Sequence, residues 1–169
     1  GKGYYDEEFS VSAWIYPNSE DDGPPAPIIS DFNAGGFLNY GWSLSVENGV
    51  LYYRTATGAG SGALTYGSTN IENAWHHVAV VGNGTNTTLY VDGEIEKNQL
   101  VVKGTFSSSQ FWIGGKYASS GPSAYFKGRI DDVLVFNRSL SAAEIKVLYN
   151  ATANKYSETF GPISHGESH

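Results

Sequence analysis

Several short segments of the chain alternate hydrophobic and polar residues, and this two-residue period predicts β-strands. In Phe9–Tyr16 the alternation is followed by Pro17, which ends the strand because proline cannot donate a ladder hydrogen bond. In Gly41–Glu47 it is followed by Asn48-Gly49, a strong hairpin signal that leads into Val50–Thr55. The residues predicted to share one face of their strand are Phe9, Val11, Ala13 and Ile15, and likewise Trp42, Leu44 and Val46.

The stretch Trp75–Gly93 predicts a meander. Its strands, Trp75–Val81 and Thr87–Val91, are rich in β-branched and aromatic residues, and Asn83-Gly84 lies between them. Asp92-Gly93 marks a second tight turn, into Glu94–Glu96. Because Trp75–Val81 is apolar on both faces apart from its histidines, we expect it to be a central strand.

One helix is predicted, Ala142–Tyr149. Ser141 is its N-cap and Glu144 its third residue, which is the spacing of a capping box. Ile145, Leu148 and Tyr149 share one face by the three- and four-residue period. We expect this short helix to cover one end of the core.

Composition and charge limit the fold class and the kinds of partner that the chain can have. The chain has 169 residues, of which 21 are Gly lying between short apolar runs, and this favours one all-β domain with many turns. Further short strands are predicted at Ile28–Phe32, Ala63–Tyr66, Gln110–Gly114 and Gly128–Asn137, with a polar loop at Gly115–Ser123. The net charge of −7 and the lack of any Lys/Arg cluster argue against nucleic acid and an anionic membrane surface as partners. No apolar run approaches the ~20 residues of a membrane-spanning helix, so we expect no membrane insertion.

Three stretches together resemble the laminin-G-like jelly-roll domains of the concanavalin A-like lectin/glucanase superfamily. They are FSVSAWIYP (Phe9–Pro17), WHHVAVV…LYVDGE (Trp75–Glu94) and GRIDDVLVFNRSLSAAEIKVLY (Gly128–Tyr149), and they occur in the family's order. The resemblance implies a sandwich of two antiparallel sheets with one short C-terminal helix. Because relatives include lectins, pentraxins, laminin modules and glycoside hydrolases, the fold does not determine the function.

The resemblance covers about residues 9–150, and we predict one domain, residues 1–150, followed by a tail, residues 151–169. Family members usually have a further strand ahead of the one equivalent to Phe9–Tyr16, whereas only Gly1–Glu8 precede it here. We therefore expect the tail, through its extended stretch Asn154–Ile163, to complete the sheet in its own subunit or in a neighbour. The alternative is that the tail is flexible and completes nothing.

A calcium site is one candidate for the spare acidic groups. Asn18, Glu20 and Asp22 occupy alternate positions of a loop that continues with Gly23, which resembles the first half of a calcium loop. Asp31 and Asp131 are further oxygen donors at predicted strand ends. The acid expected at position 12 is missing, so the alternative is a solvated acidic loop. A bound Ca²⁺ would stabilise the fold and do no chemistry.

Aromatic residues near loops are the candidate ligand-binding residues, because aromatic rings stack on the apolar faces of sugars. These residues are Tyr40, Trp42, Tyr117 and Tyr125, and the alternative is that they cover the core. Four N-x-S/T sequons, at Asn83, Asn86, Asn137 and Asn150, are candidate glycosylation sites and favour an extracellular or cell-surface protein.

Two clusters of ionisable residues are candidates for a catalytic role, but a structural role is favoured for both. Asp92, Glu94 and Glu96 alternate as acids do in some glycoside hydrolases of the superfamily, but the Asp92-Gly93 turn breaks that alternation. His76 and His77 point to opposite faces of one strand, so we expect them to pack and hydrogen-bond rather than share an ion.

The sequence therefore predicts a non-catalytic extracellular binding or adhesion domain, with a glycan or surface glycoprotein as partner. The alternatives are a structural subunit of a surface layer or filament, joined into homo-oligomers by sheet-edge pairing, and a glycoside hydrolase.

Overall fold

The computed structural model describes residues 8–18, 26–31, 33–34, 40–57, 62–100, 111–118 and 121–157. This part of the chain forms two β-sheets and one helix. The strands are β1 (Phe9–Pro17), β2 (Ala26–Ser30), β3 (Asn33–Ala34), β4 (Tyr40–Glu47), β5 (Val50–Thr57), β6 (Leu64–Tyr66), β7 (His76–Gly82), β8 (Asn86–Val91), β9 (Glu94–Leu100), β10 (Trp112–Ile113), β11 (Lys116–Ala118), β12 (Gly121–Ser123) and β13 (Gly128–Phe136), and the helix is α1 (Ala142–Ser157). None of the described helices is long and apolar enough to cross a membrane.

The first sheet has the strand order β13-β1-β7-β8-β9, and every pair in it is antiparallel. Strand β7 lies at its centre and is buried along nearly its whole length, as its two apolar faces predict. The β8–β9 turn has positive φ at both Asp92 (52°) and Gly93 (78°), which matches the twist of the flanking strands. A Cβ on Gly93 would lie 2.7 Å from the Lys146 side chain, so glycine also allows the helix to approach this turn.

The second sheet is centred on β4, which pairs with β5 on one side and with β2 and β3 on the other. The predicted hairpin is confirmed, since Asn48 and Gly49 both have positive φ and join β4 to β5 in continuous register. Strands β6 and β10 extend the sheet on either side, and β11 and β12 add to it beyond β3. The predicted polar loop Gly115–Ser123 therefore contains two short strands.

The core lies between the two sheets and contains the residues that the alternation placed on one face. Phe9, Val11, Ala13 and Ile15 of β1 meet Trp42, Leu44 and Val46 of β4, all of them buried. The all-β sandwich expected from the resemblance is thus the observed fold.

Helix α1 begins with the predicted capping box. The Ser141 hydroxyl accepts from the Glu144 N–H at 3.2 Å, and the Glu144 carboxylate accepts from the Ser141 N–H at 2.8 Å. Arg138 also binds Glu144, and these contacts lower the pKa of Glu144 to about 2, with the Arg138 hydrogen bond the largest cause.

The position and length of α1 differ from the prediction. The helix lies on the outer face of the first sheet, where Ile145 packs with Ala79, Val81 and Tyr90, rather than over one end of the core. It also continues to Ser157, so residues 154–157, predicted as extended, are helical. The rest of the tail, residues 158–169, and the segment Gly1–Glu7 lie outside the described residues.

The reason for the longer helix is an aromatic contact between its last turns and the first sheet. Tyr156 stacks on Trp14 of β1 with ring centroids 4.2 Å apart, and the Trp14 indole N–H donates to the Thr152 hydroxyl at 2.8 Å. Lys155 forms ion pairs with Asp131 and Asp132 of β13. These contacts hold the last turns of the helix against the sheet.

Candidate functional site

Two of the four predicted ligand-binding aromatic residues, Trp42 and Tyr125, have side chains that the structure describes, and these two fall in different environments. Trp42 is 0% exposed and packs in the core against Phe9 and Tyr53, so its ring cannot stack on a ligand. Tyr125 is 65% exposed, just before β13. The backbone register places Tyr40 opposite Asn33, which pairs in turn with Tyr117. The structure thus removes Trp42 from the predicted set.

The predicted metal ligands do not converge where they can be placed. Asp31 is 1% exposed and directly follows β2 of the second sheet, whereas Asp131 lies on β13 of the first sheet and binds Lys155. Asn18 is exposed, and its backbone N–H donates to the Lys127 carbonyl at 3.0 Å. Glu20 and Asp22 lie outside the described residues, among which no group of three or more His, Asp or Glu could hold a metal ion. Calcium binding stays a prediction.

Three of the four sequon asparagines are exposed, namely Asn83, Asn137 and Asn150, while Asn86 is half-buried. Asn83 Oδ1 accepts from the backbone N–H groups of Thr85 and Asn86, which orders the β7–β8 turn. Glycosylation of all four stays a prediction.

The acidic residues weighed as hydrolytic are each bound to a different partner. Asp92 accepts from the His77 N–H at 3.0 Å and lies 2.8 Å from His76 Nδ1. Glu94 forms an ion pair with Lys146 of the helix. Glu96 accepts four hydrogen bonds from Ser68 and Thr69 and so ties β9 to the segment that follows β6.

A polar face that the sequence reasoning did not single out lies on the outer side of the second sheet. Because Trp42, Leu44 and Val46 point into the core, the alternate residues Ser43 and Ser45 of β4 point outward. Directly opposed residues of antiparallel strands share a face, so the register extends this face across the neighbouring strands. One row is Trp112–Ser30–Ser43–Arg54–Leu64, and the next is Pro27–Ser45–Tyr52–Tyr66. We call Ser30, Ser43, Ser45, Tyr52, Arg54 and Tyr66 the serine–tyrosine face.

The two tyrosines form the rim of this face. Their ring centroids are 4.7 Å apart, and Tyr66 is 43% exposed whereas Tyr52 is buried. A hydrogen bond with Glu47 is the main cause that raises the pKa of Tyr66 to about 12, and burial adds to it. Burial raises the pKa of Tyr52 as well, and the nearby charge of Arg54 opposes that shift. Both phenols are therefore neutral near pH 7, and the Tyr66 hydroxyl is already hydrogen-bonded to Glu47 and Tyr52.

The three serines of the face are buried, with Ser30 and Ser45 0% exposed and Ser43 6% exposed. Ser30 donates to the Gly115 carbonyl at 2.9 Å. Ser45 Oγ is buried beside Tyr52 and has no hydrogen-bond partner among the described residues. Of the groups on this face, the half-buried Arg54 and the 43% exposed Tyr66 are the ones that a polyhydroxylated ligand can reach.

The signal for this face was present in the sequence as the polar half of the alternation in YGWSLSVE. This signal could not identify a binding site, because serines that alternate with hydrophobic residues usually indicate only the solvent-facing side of a strand. The register with Tyr52, Arg54 and Tyr66 is what distinguishes the face, and it is a tertiary property.

Solved structures with the same fold include receptor- and carbohydrate-binding domains. The CBM40 domain of a Ruminococcus gnavus IT-sialidase, solved with α2,3-sialyllactose, is 14% identical with a TM-score of 0.72, and the match covers 86% of this chain and 84% of that one. The botulinum neurotoxin serotype C1 binding domain is 21% identical with a TM-score of 0.66, covering 87% of this chain and 37% of that one. The botulinum neurotoxin DC binding domain, solved with rat synaptotagmin II, is 20% identical with a TM-score of 0.63, and the match covers 88% of this chain and 37% of that one.

This chain thus spans little more than a third of each of these neurotoxin chains, and at such identities the similarity shows the fold alone. No curated protein matches the sequence. A family profile described as the concanavalin A-like lectin/glucanases superfamily matches residues 3–146. Since that match takes in both sheets and the start of the helix, the chain belongs to the laminin-G-like domains of the concanavalin A-like lectin/glucanase superfamily.

Proposed function

We propose that the chain is a non-catalytic extracellular domain that binds glycans through the serine–tyrosine face. The observation that carries this proposal is the register of β4, β5 and β6, which brings the accessible Tyr66 and Arg54 onto one outer face whose serines and Tyr52 are buried. Support also comes from relatives of the same fold. One is bound to α2,3-sialyllactose, and the cell entry of botulinum neurotoxin type C depends on two ganglioside molecules.

The non-catalytic part of the proposal is supported by the acidic residues. Asp92, Glu94 and Glu96 are bound to β7, to the helix and to the segment after β6 respectively, so each has a structural role. A retaining glycosidase needs two carboxyl groups ~5 Å apart that flank a sugar, whereas each of these three carboxylates is bound to a different part of the chain. The sequons support the extracellular location.

A glycan array followed by isothermal titration tests the proposal. Tyr66→Ala should weaken binding of the best array ligand about tenfold, because it removes the most exposed aromatic ring of the face. Tyr125→Ala removes a more exposed tyrosine outside the face and should leave the affinity unchanged. If Tyr125→Ala abolishes binding and Tyr66→Ala does not, the ligand binds at the loop predicted from the sequence. A protein that binds no glycan on the array contradicts the proposal.

One observation favours the second hypothesis, a subunit assembled by strand addition. Within the described part of the chain β13 pairs with β1 alone, and its Leu134 and Val135 are exposed. Against it, the register of β1 and β13 shifts beside Asp132, which has a φ of 46°, and such irregularities disrupt edge pairing.

Light scattering coupled to size-exclusion chromatography decides between the two functions. A variant that lacks residues 158–169 but keeps the helix to Ser157 tests the role of the part of the tail that lies outside the helix. A wild-type oligomer that becomes monomeric on this deletion supports strand addition. A monomer in both forms excludes it.

A further inference from the structure

We infer that the protein carries an N-linked glycan on Asn83, at the turn between β7 and β8, and that the overlapping sequon at Asn86 stays unmodified. This inference rests on the extracellular location in the proposed function and goes beyond it, since it assigns the modification to one of two neighbouring asparagines.

The two sequons overlap in the six residues NGTNTT, so the sequence alone does not rank them. Asn83 is followed two residues later by Thr85, and Asn86 is followed two residues later by Thr88. A transferase that recognises such a sequon has to reach both the amide and the hydroxyl group, which is why modified sequons lie at the surface. The exposure of these two groups therefore decides between the sequons.

Asn83 presents both groups at the surface. Asn83 and Thr85 are exposed, and Gly84 between them has a φ of 78°, which allows the tight turn. The Asn83 side chain accepts from the backbone N–H of Thr85 at 3.1 Å and from that of Asn86 at 2.7 Å. Because two N–H donors require an acceptor, the bound atom is the oxygen Oδ1, and the amide nitrogen Nδ2 lies on the opposite side of the amide group. The atom that would receive the glycan thus points away from the backbone of the turn.

Asn86 lies in a different environment. It is the first residue of β8, it is half-buried, and its Oδ1 is buried without a hydrogen-bond partner among the described residues. Thr88, whose hydroxyl completes this sequon, is 9% exposed and lies between Val81 of β7 and Asn98 of β9. A glycan on Asn86 would therefore have to break the strand pairing at the start of β8, whether it was added before or after folding.

The turn is fixed in place and lies apart from the proposed binding face. The Ser139 hydroxyl donates to the Gly82 carbonyl at 2.6 Å, which ties the end of β7 to the segment between β13 and α1. The serine–tyrosine face belongs to the other sheet. A glycan on Asn83 would therefore leave that face open to a ligand.

The modification joins Asn83 Nδ2 to the anomeric carbon of an oligosaccharide carried on a lipid diphosphate. The C–N bond forms as the C–O bond to the diphosphate breaks, the amide loses one proton, and the lipid diphosphate leaves. The turn supplies the nucleophile and the recognised hydroxyl, and a transferase supplies the catalysis.

Mass spectrometry of the chain secreted from a eukaryotic cell line tests the inference. Enzymatic release of the glycan in heavy-oxygen water converts a modified asparagine into an aspartate that carries the heavy isotope. Fragment ions of the peptide that spans both sequons then show which position was modified. We expect the label on Asn83 and no label on Asn86 in the folded, secreted protein.

Two matched variants locate the glycan independently. Thr85→Val removes the Asn83 sequon alone and Thr88→Val removes the Asn86 sequon alone, and each exchanges a hydroxyl for a methyl group. Thr85→Val should abolish modification of this turn, whereas Thr88→Val should keep the glycan on Asn83. If Thr88→Val fails to fold, the position of the label in the wild-type protein still decides.

The outcomes separate this inference from the proposal on which it rests. A label on Asn86 in the wild-type protein, a glycan of this turn that persists in Thr85→Val, or its loss from folded Thr88→Val overturns the inference. A secreted, folded protein in which neither asparagine is modified also overturns it. The glycan array uses protein made without N-glycosylation, so a failure to bind there contradicts the proposed function and leaves the assignment of Asn83 intact.

Discussion

His77 should make the fold sensitive to mild acid, and replacing it should remove that sensitivity. The side chain is 3% exposed on β7, and its ring meets the Trp14 ring edge-on with centroids 5.6 Å apart. Nδ1 has no hydrogen-bond partner among the described residues. Burial lowers the pKa of His77 from its ordinary 6.5 to about 4, although the Asp92 charge acts in the opposite direction.

The direction of the pH effect follows from this shift. Between about pH 4 and 6.5 the unfolded chain binds a proton at His77 and the folded chain does not, so the free energy of unfolding falls as the pH falls through that window. One pKa unit corresponds to 1.36 kcal/mol, so the full effect is about 3 kcal/mol, of which about 2 kcal/mol is lost between pH 7 and pH 5. Carboxylates with lowered pKa, such as Glu144, add acid sensitivity at lower pH.

Urea unfolding at a series of pH values measures the effect. His77→Gln cannot gain a proton, so its stability should stay nearly constant where that of the wild-type protein falls between pH 6.5 and 5. A ring titration by NMR should place the His77 midpoint about 2 units below that of a free histidine. The reasoning is refuted if the variant and the wild-type protein lose stability equally across this window, or if the ring titrates near pH 6.5.

Three further predictions concern stability. Ile145→Ala should cost about 2–5 kcal/mol in urea unfolding, because Ile145 is the fully buried contact of the helix with the first sheet, and a loss below 1 kcal/mol would contradict that packing. Ser141→Ala should lower the free energy of unfolding by about 0.5–2 kcal/mol through loss of the N-cap, and it should leave glycan affinity unchanged. Weaker binding by a variant of unchanged stability would show that the cap has a second role. If the Asn18–Gly23 loop binds Ca²⁺, saturating calcium at a hundred times its dissociation constant should add about 2.7 kcal/mol, and a melting temperature that is the same in calcium and in chelator argues against the site.

The serine–tyrosine face shows why the candidate site was harder to predict than the fold. Ser43 and Ser45 were legible as the polar half of an alternating strand, but Tyr52, Arg54 and Tyr66 join them only through the pairing of β4, β5 and β6. Trp42 was expected near a ligand because it is aromatic and close to a loop. Its place on the core-facing side of β4 shows that alternation was the better guide.

The sequence by itself determined the features that depend on neighbours a few residues apart. The turns at Asn48-Gly49 and Asp92-Gly93, the alternation that fills the core and the Ser141–Glu144 cap are interactions of this kind. Only the tertiary structure decided that the helix runs to Ser157, because Tyr156 and Thr152 are held by Trp14, which is remote in the chain. The same is true of the outer face of the second sheet, since a residue's partners across a sheet depend on strand order and register, which a local pattern does not encode.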